Sequence, residues 1–370
     1  MKDFGWTLTA GSLRRVTLEQ PPYAGRGPDT AEYRPEFVGI CGTDLDILAG
    51  ARTDAARILG HEAVIRRSLD RDQGQVGPGG LYVVNPVNPM AQDEIVGHST
   101  PGMLRTLVNF PIDWGPDRLI SVRAAVPVHL AALAEPIGVA LYALECLTAG
   151  RGEGRRILVI GAGAIGTAIA TTAQLVSGAR IGIVDVSDRR ISRALELGQA
   201  HDGVVVLTPE ALSAAIRDFA PDAVAVCVPR SARLVTLETV CGHSPPSTVI
   251  DLVTGYESED AVRMVPGLSP HQLRRQNVCG TSPNAVVQAF MAADGRPLFL
   301  TGHRGTGARH IERALTLMAA HPDAFERLVT DIVPFVDLRD VIEGLLVARQ
   351  EPSHAPYRKV VVSMGLQANW

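Results

Sequence analysis

The sequence has no excess of basic residues. Its 370 residues include 35 lysines and arginines against 39 aspartates and glutamates, which gives a formal net charge of −4 with histidine neutral. A general polyanion binder needs clustered, surplus positive charge to neutralise phosphates. Nucleic acid is therefore not expected as a partner.

Long apolar runs are also missing. No uninterrupted stretch of about 18 apolar residues, the length that marks a membrane-spanning helix, occurs in the chain. The opening residues, MKDFGWTLTAG, have no apolar core of the kind found in signal peptides. We therefore expect a cytoplasmic location and no association with a membrane.

Cysteines are few and do not form a pairing framework. The five of them are an odd number scattered along the chain, as is typical of reduced thiols in a cytosolic protein. Cys227 lies in the apolar run 223–228 and has the character of a buried small hydrophobe. Cys41 has different neighbours and is considered with the metal ligands below.

The length of the chain predicts two domains, and its 46% hydrophobic residues suffice for two cores. Residues from 8 to about 130 are rich in proline and glycine with short β-like runs, which indicates an irregular, mostly β domain. The stretch 131–147 is predicted to be helical on both sides of Pro136. From 155 to about 255 apolar strands alternate with helical segments, which indicates a parallel sheet.

A glycine motif lies at the start of that alternation. Gly161, Gly163 and Gly166 follow the apolar strand 157–160 directly and open a helix with Ala164 and Ile165. In this context the glycines permit a tight turn, close approach of the backbone to a pyrophosphate and close helix packing, while the helix N-terminus offers free N–H groups to the anion. The motif predicts a dinucleotide site.

The next strand ends in a carboxylate at the position that reads the adenosine ribose. Asp185 lies 19 residues beyond Gly166, where it can accept hydrogen bonds from both ribose hydroxyls and repel a 2′-phosphate. NAD is therefore expected rather than NADP. Arg189 and Arg190 follow closely, so a contact between Arg190 and a phosphate stays open as an alternative.

A second constellation lies in the β-rich part of the chain. Cys41 precedes His61 and Glu62 by 20 and 21 residues, so that a thiol, an imidazole and a carboxylate are available together. Such a set suits zinc, whose catalytic sites use three protein ligands and leave one position open.

Taken in order, the motifs FVGICGTDLDI, ILGHEAV, AEPIGVALYALE and VIGAGAIG resemble the zinc-containing medium-chain dehydrogenase/reductase family, nearest to its glucose, polyol and cyclitol dehydrogenases. The resemblance implies that Cys41 and His61 bind a catalytic zinc. It also implies that Glu62 or Glu135 completes the zinc shell, and leaves open which of the two does so.

The resemblance further implies an α/β fold in which a Rossmann domain, a doubly wound parallel sheet, is inserted into a mostly β, GroES-like catalytic domain. The expected limits are 1–145 and 297–370 for the catalytic domain and 146–296 for the Rossmann domain. Dimers or tetramers joined through the Rossmann sheet are implied as well. No structural zinc is expected, because the stretch 85–106 lacks the four cysteines of the family's zinc lobe.

The chemistry implied is hydride transfer between NAD(H) and a secondary alcohol or ketone of a sugar, polyol or (amino)cyclitol. Thr43 matches the family hydroxyl that takes the alcohol's proton, and Asp46 stands where many members carry a histidine that ends the relay. Glu62 is expected at the reacting centre as well as in the zinc shell. Asp44 is expected to orient a zinc ligand.

Two other functions stay open at this point. One is a zinc-free reductase of enones or quinones on the same fold, and the other is a non-catalytic protein that senses NAD. The segment 257–306 is expected to form a substrate wall that contains His271, Asn277, His303 or Arg304.

Overall fold

A computed structural model of the chain describes residues 3–9, 12–18, 30–68, 80–149, 156–281 and 284–365. Its strands are β1 (Asp3–Thr9), β2 (Ser12–Leu18), β3 (Thr30–Gly39), β4 (Glu62–Arg67), β5 (Leu81–Val84), β6 (Val87–Asn88), β7 (Ala91–Ile95), β8 (Val108–Pro111), β9 (Leu119–Ser121), β10 (Arg156–Ile160), β11 (Arg180–Asp185), β12 (Asp202–Val205), β13 (Ala223–Val226), β14 (Val249–Leu252), β15 (Gln288–Met291), β16 (Pro297–Gly302), β17 (Asp331–Pro334) and β18 (Val360–Ser363). Its α-helices are α1 (Gly42–Leu48), α2 (Val128–Ala131), α3 (Ala134–Thr148), α4 (Ala164–Val176), α5 (Asp188–Glu196), α6 (Pro209–Phe219), α7 (Arg233–His243), α8 (Pro270–Arg274), α9 (Ala308–Ala320), α10 (Pro322–Glu326) and α11 (Leu338–Ala348).

The chain forms two units, each made of segments that are separated in the sequence. The first comprises Met1–Gly138, Gly307–Val347 and Arg358–Trp370, and the second comprises Val139–Thr306 and Ala348–Tyr357. The chain thus passes between units at 138/139, 306/307, 347/348 and 357/358, whereas the division expected from the sequence has two crossings, at 145/146 and 296/297.

The first unit is mostly β. Its main sheet has the order β17-β18-β3-β4-β5-β9, and β8 pairs with β3 beside this path. Every pair in it is antiparallel except β17 with β18. Val38, Ile65 and Phe110 contribute to the core of this unit, and the indole N–H of Trp6 donates to the carbonyl of Phe335 at 2.8 Å. The closing strand β18 therefore lies directly beside β3, which leads to Cys41.

The second unit contains the parallel sheet expected from the alternation of strands and helices. The strand order is β12-β11-β10-β13-β14-β16-β15, and only the edge strand β15 is antiparallel to its neighbour. The chain reverses direction across the sheet between β10 and β13, which is where open α/β sheets bind their ligands. After its first residue, Arg156, strand β10 is continuously apolar and buried, because both faces of a parallel sheet are covered.

The helical stretch around Pro136 differs from its prediction. The break falls at residues 132–133, and Pro136 lies inside the first turn of α3 rather than between two helices. Proline is tolerated there because the first N–H groups of a helix have no partner within it.

Two of the four residues named for a substrate wall in the segment 257–306 are enclosed. The side chain of Asn277 is fully buried, and its amide donates to the carbonyls of Val286 and Gly302 while its oxygen accepts from the N–H of Val286. His303 is also buried. The prediction of a substrate-facing wall is therefore wrong for these two residues, because their side chains are enclosed within the second unit.

Within the described ranges, no helix combines the length and the apolar character needed to cross a membrane.

Candidate metal centre and dinucleotide site

Cys41 lies in the short connection between β3 and α1, in extended backbone that precedes the helix. The buried carboxylate of Asp44, one turn into the helix, accepts from the backbone N–H of Cys41 at 2.9 Å. Its other oxygen accepts from the N–H of Gly60 at 3.2 Å. One carboxylate thus joins the segment that bears Cys41 to the segment that bears His61 and Glu62.

His61 follows a glycine that the fold requires. Gly60 has a φ of +88°, and a Cβ there would lie within 3 Å of the side chains of Val38 and Leu104. Nδ1 of His61 lies 3.6 Å from Oδ1 of Asp44, which leaves Nε2 as the nitrogen for a metal. The ring of His98 packs edge-on against His61 with centroids 4.7 Å apart. The imidazole is therefore held in one orientation by a carboxylate and a second ring.

The structure brings Cys41, His61 and Glu62 together. One potential ligand atom of each, a sulfur, a ring nitrogen and a carboxylate oxygen, lies within 4.8 Å of the others. His61 and Glu62 are buried, whereas Cys41 is half-buried. Nδ1 of His61 is buried beside Asp44 at a distance slightly too long for a hydrogen bond, so the carboxylate is the polar group that faces this nitrogen. The donor set fits a zinc ion with one position left open.

Charge couples His61 to its neighbours. Burial by itself would lower the pKa of His61, but the charges of Asp44 and Cys41 outweigh burial and raise the pKa well above its usual value. Burial would likewise raise the pKa of Asp44, yet the His61 charge and the Cys41 N–H hold it below its usual value. The site therefore stabilises a positive charge at the imidazole, and a cation bound there would be stabilised in the same way.

Glu62 is held from its other side by Lys359. The Lys359 ammonium forms a buried ion pair with Oε2 of Glu62 and donates to the carbonyl of Ile40 at 3.1 Å. A carboxylate has two oxygens, so Glu62 can pair with Lys359 and still offer a ligand atom.

Glu135 lies near the cluster but is not part of it. Burial raises the pKa of Glu135 to about 7; the charge of Glu62 adds to this rise, and His61 and Lys359 oppose it. Of the two glutamates left open by the sequence, the geometry groups Glu62 with Cys41 and His61. Glu135 is instead a neighbouring carboxyl that can exchange a proton at neutral pH.

Thr43 and Asp46 lie three residues apart on α1 and are both half-buried. Residues at this spacing share one face of a helix. Asp44, Leu45, Ile47 and Leu48 are buried. Thr43 and Asp46, the residues expected to form the proton relay, thus lie on one accessible face of α1. Asp44, which contacts the segment that bears His61, is enclosed.

The glycine motif of the second unit has the geometry that its spacing predicts. Gly161 has a φ of +104°, and a Cβ there would lie 2.6 Å from the carbonyl oxygen of Cys227. A Cβ on Gly166 would collide with the carbonyl oxygen of Gly161. Gly163 caps α4, and nothing lies within 4 Å of where its Cβ would be. Gly161 and Gly166 are therefore required by packing. Gly163 leaves open space at the N-terminus of α4, the helix that begins with Ala164 and Ile165.

Asp185 ends β11 beside this turn. Its Oδ2 accepts from the N–H of Ala162 at 2.7 Å, and its Oδ1 accepts from the N–H of Ser187 at 2.9 Å. Each oxygen keeps a further lone pair for a hydroxyl. Nη1 of Arg190 lies 3.6 Å from Oδ2 of Asp185, so the guanidinium faces the carboxylate.

Two residues of the metal region were missed by the sequence analysis. Lys359 directly precedes an apolar run, and a lysine in such a position is a signal for a buried partner, because lysine is rarely buried unless it is paired. His98 lies in a loop without regular pattern. Neither residue is near Cys41 or His61 in the sequence.

Comparison with known proteins gives relatives over about half of the chain. No family model matches the chain. It is 30% identical over 205 residues to an uncharacterized zinc-type alcohol dehydrogenase-like protein of Haemophilus influenzae, which covers 50% of this chain and 58% of that protein. It is 30% identical over 207 residues to sorbitol dehydrogenase of Ovis aries, with 51% and 56% covered. The chain is thus similar to zinc-type alcohol dehydrogenases over about half of its length. It spans a little over half the length of the curated relatives it matches.

Solved structures extend the likeness in fold to the whole chain. Galactitol-1-phosphate dehydrogenase from Escherichia coli superposes with a TM-score of 0.72 at 17% identity, covering 98% of this chain and all of that one. A short chain alcohol dehydrogenase from E. coli CFT073, complexed with NADH, gives 0.71 at 18%, covering 98% and 100%. The Rossmann and GroES-like fold class and the resemblance stated from the motifs are confirmed.

Proposed function

We propose that the chain is a zinc-dependent oxidoreductase that transfers hydride between NAD(H) and a secondary alcohol or ketone of a sugar, polyol or cyclitol. The observation that carries this proposal is the convergence of Cys41, His61 and Glu62 within 4.8 Å. The glycine turn and Asp185 supply the features expected for the cofactor. The homology to zinc-type dehydrogenases supports both halves.

Cys41, His61 and Glu62 would hold the zinc, with Asp44 orienting His61 and Lys359 orienting Glu62. When bound, zinc supplies a Lewis acid that lowers the pKa of a substrate hydroxyl at its open position, and nicotinamide accepts the hydride. Burial of the carboxylates and the imidazole keeps bulk water away from these ligands.

The proton of the alcohol would leave through the residues of α1. The Thr43 hydroxyl accepts it while donating its own proton onward, and Asp46, on the same helical face, is positioned to accept it or to pass it to water. Glu135, whose pKa is raised to about 7, can also take up or release a proton near neutral pH.

The substrate class follows from the relatives. One is a sorbitol dehydrogenase and one structural neighbour acts on galactitol 1-phosphate, so a polyhydroxylated small molecule is the substrate that we propose. For the cofactor we propose NAD, because the carboxylate of Asp185 would repel a 2′-phosphate and because Arg190 is turned toward that carboxylate.

A homodimer or homotetramer is part of the proposal. Among the described strands, β15 forms one edge of the sheet of the second unit, and its Met291 is 60% exposed. Pairing of two such edges would extend the sheet and cover this methionine. Light scattering of the purified protein measures the assembly state.

One experiment tests the main proposal. Zinc content and NAD reduction over a panel of polyols, cyclitols and simple alcohols are measured for the wild type, for Cys41→Ser and for the control Cys241→Ser, which removes a buried thiol elsewhere. We expect Cys41→Ser to lose one equivalent of zinc together with turnover, and Cys241→Ser to keep both. Full turnover without zinc would favour the zinc-free reductase. NAD binding with neither metal nor turnover would favour the sensor.

A further inference from the structure

A second group of metal-ligating side chains lies in the core of the second unit. Cys146, Asp251 and His303 are 0%, 0% and 2% exposed, and one potential ligand atom of each lies within 4.8 Å of the other two. These residues are far apart in the sequence and have no role in the proposed reaction.

Three different elements bring the group together. Cys146 lies on α3, Asp251 on β14, and His303 directly after β16. On β14 the flanking residues Ile250 and Leu252 point into the apolar core on one face of the sheet. Because side chains alternate along a strand, Asp251 points to the opposite face, toward Cys146. The group thus connects a helix to two neighbouring parallel strands.

The carboxylate of Asp251 is unexplained by hydrogen bonding. Both of its oxygens are buried without a hydrogen-bond partner, and so is Nδ1 of His303. A buried carboxylate without partners costs several kcal/mol of solvation, about the size of a domain's whole stability. The buried Arg274 does not neutralise it by direct contact, because its guanidinium donates to the carbonyls of Leu252 and Val253. A metal ion held between Asp251 and His303 would balance this charge directly.

The separation between His303 and Asp251 matches that of two ligands on one tetrahedral metal. Nδ1 of His303 lies 3.4 Å from Oδ2 of Asp251, yet the two atoms do not meet the geometry of a hydrogen bond. Two ligands at about 2.1 Å from a tetrahedral zinc are about 3.4 Å apart. A thiol, an imidazole and a carboxylate are all ligands that zinc accepts.

We propose that these three side chains bind a second zinc ion, in a buried site that joins α3 to the sheet of the second unit. Zinc binding displaces the proton of the Cys146 thiol, and this proton is released to solvent. The bound ion balances the charge of Asp251. The ring of Tyr142, with its centroid 5.0 Å from that of His303, packs beside the site.

Metal content tests the proposal in the full chain. Inductively coupled plasma mass spectrometry is applied to the wild type, Cys41→Ser, Cys146→Ser and the control Cys241→Ser, which removes an equally buried thiol outside the group. We expect two zinc ions per chain in the wild type and in Cys241→Ser, and one in each of the other two. Unchanged zinc content in Cys146→Ser would overturn the proposal, whether or not the catalytic zinc is present.

A second measurement keeps the test decisive if Cys146→Ser does not fold. The single variant Cys41→Ser, which removes the other candidate metal thiolate, is stripped with a chelator and titrated with Co²⁺. We expect a near-ultraviolet thiolate-to-cobalt charge-transfer band and a rise in melting temperature. Binding of Co²⁺ without a thiolate band, or no binding at all, would show that Cys146 is not a ligand.

Discussion

The ion pair between Lys359 and Glu62 gives a prediction whose size follows from burial. The two side chains are 3% and 1% exposed, and Lys359 also donates to the carbonyl of Ile40 at 3.1 Å. Replacing Lys359 by methionine keeps most of the side-chain volume but leaves the Glu62 carboxylate buried without its cation. Removing one partner of a buried pair costs about 3–5 kcal/mol of unfolding free energy. We expect a loss of this size in Lys359→Met.

The assay is urea unfolding of chelator-treated protein, because a bound zinc would supply part of the missing positive charge. Arg339→Met is the matched control, since Arg339 and Glu343 form an exposed ion pair on α11. Exposed pairs are worth about 0–1 kcal/mol, so the control should unfold close to the wild type. In Lys359→Met with Glu62→Gln, which removes both charges, most of the loss should be recovered.

The outcome that contradicts this reasoning is specific. If Lys359→Met is no less stable than Arg339→Met, the Lys359 ammonium does not neutralise Glu62 in the folded protein. If the double variant is as unstable as the single one, the loss comes from packing of the lysine stem rather than from an unpaired carboxylate.

Three further predictions concern the metal centre and the glycine turn. Asp44→Asn should weaken zinc binding by about tenfold to a hundredfold, because carboxylates that orient a metal ligand contribute that much to affinity. Competition with a chelator measures the zinc affinity, and an unchanged affinity would show that Asp44 does not orient His61. Gly163→Ala should fold normally but bind NAD poorly, whereas Gly166→Ala should lower the melting temperature. The reason is that a Cβ on Gly166 meets backbone and a Cβ on Gly163 does not. Equal melting temperatures for the two variants would contradict this. The pKa of Glu135 is raised to about 7 in the folded protein, so in metal-free protein the stabilisation from keeping it protonated is full below pH 4.5 and lost as the pH rises through 7. Glu135→Gln should therefore show a smaller fall in urea midpoint between pH 4.5 and 7.5 than the wild type, and an identical fall would show that Glu135 does not titrate there.

Much of the second unit could be predicted from the sequence because its signals are local. Gly161, Gly163 and Gly166 lie within six residues, and the strand before them and the helix after them are contiguous with the motif. Asp185 is one strand away, and β10 and β11 pair in parallel register, so that the end of one lies beside the end of the other. Backbone sterics and strand pairing then fix the turn without reference to the rest of the chain.

The metal centre was only partly predictable, because three of its contacts join distant segments. The spacing of Cys41, His61 and Glu62 indicated ligands, but two glutamates could complete the shell. Only the structure shows that Glu62 is the one whose carboxylate groups with Cys41 and His61. Lys359 directly precedes the last described strand, β18, and the pairing of β18 with β3 brings the ammonium to Glu62. No pattern in the sequence predicts this contact between Lys359 and Glu62.

The sequence by itself therefore determined the glycine turn, the carboxylate of Asp185 beside it and the side-chain types at the candidate metal centre, since each depends on neighbours within one or two elements. The tertiary structure alone decided which glutamate stands with Cys41 and His61, that Lys359 neutralises it, and that Asn277 and His303 are enclosed rather than facing substrate. It also brought Cys146, Asp251 and His303 together. The physical reason is that burial and charge pairing depend on which segments come into contact in the folded chain. Contacts between segments that are distant in the sequence leave no local pattern by which they could be predicted.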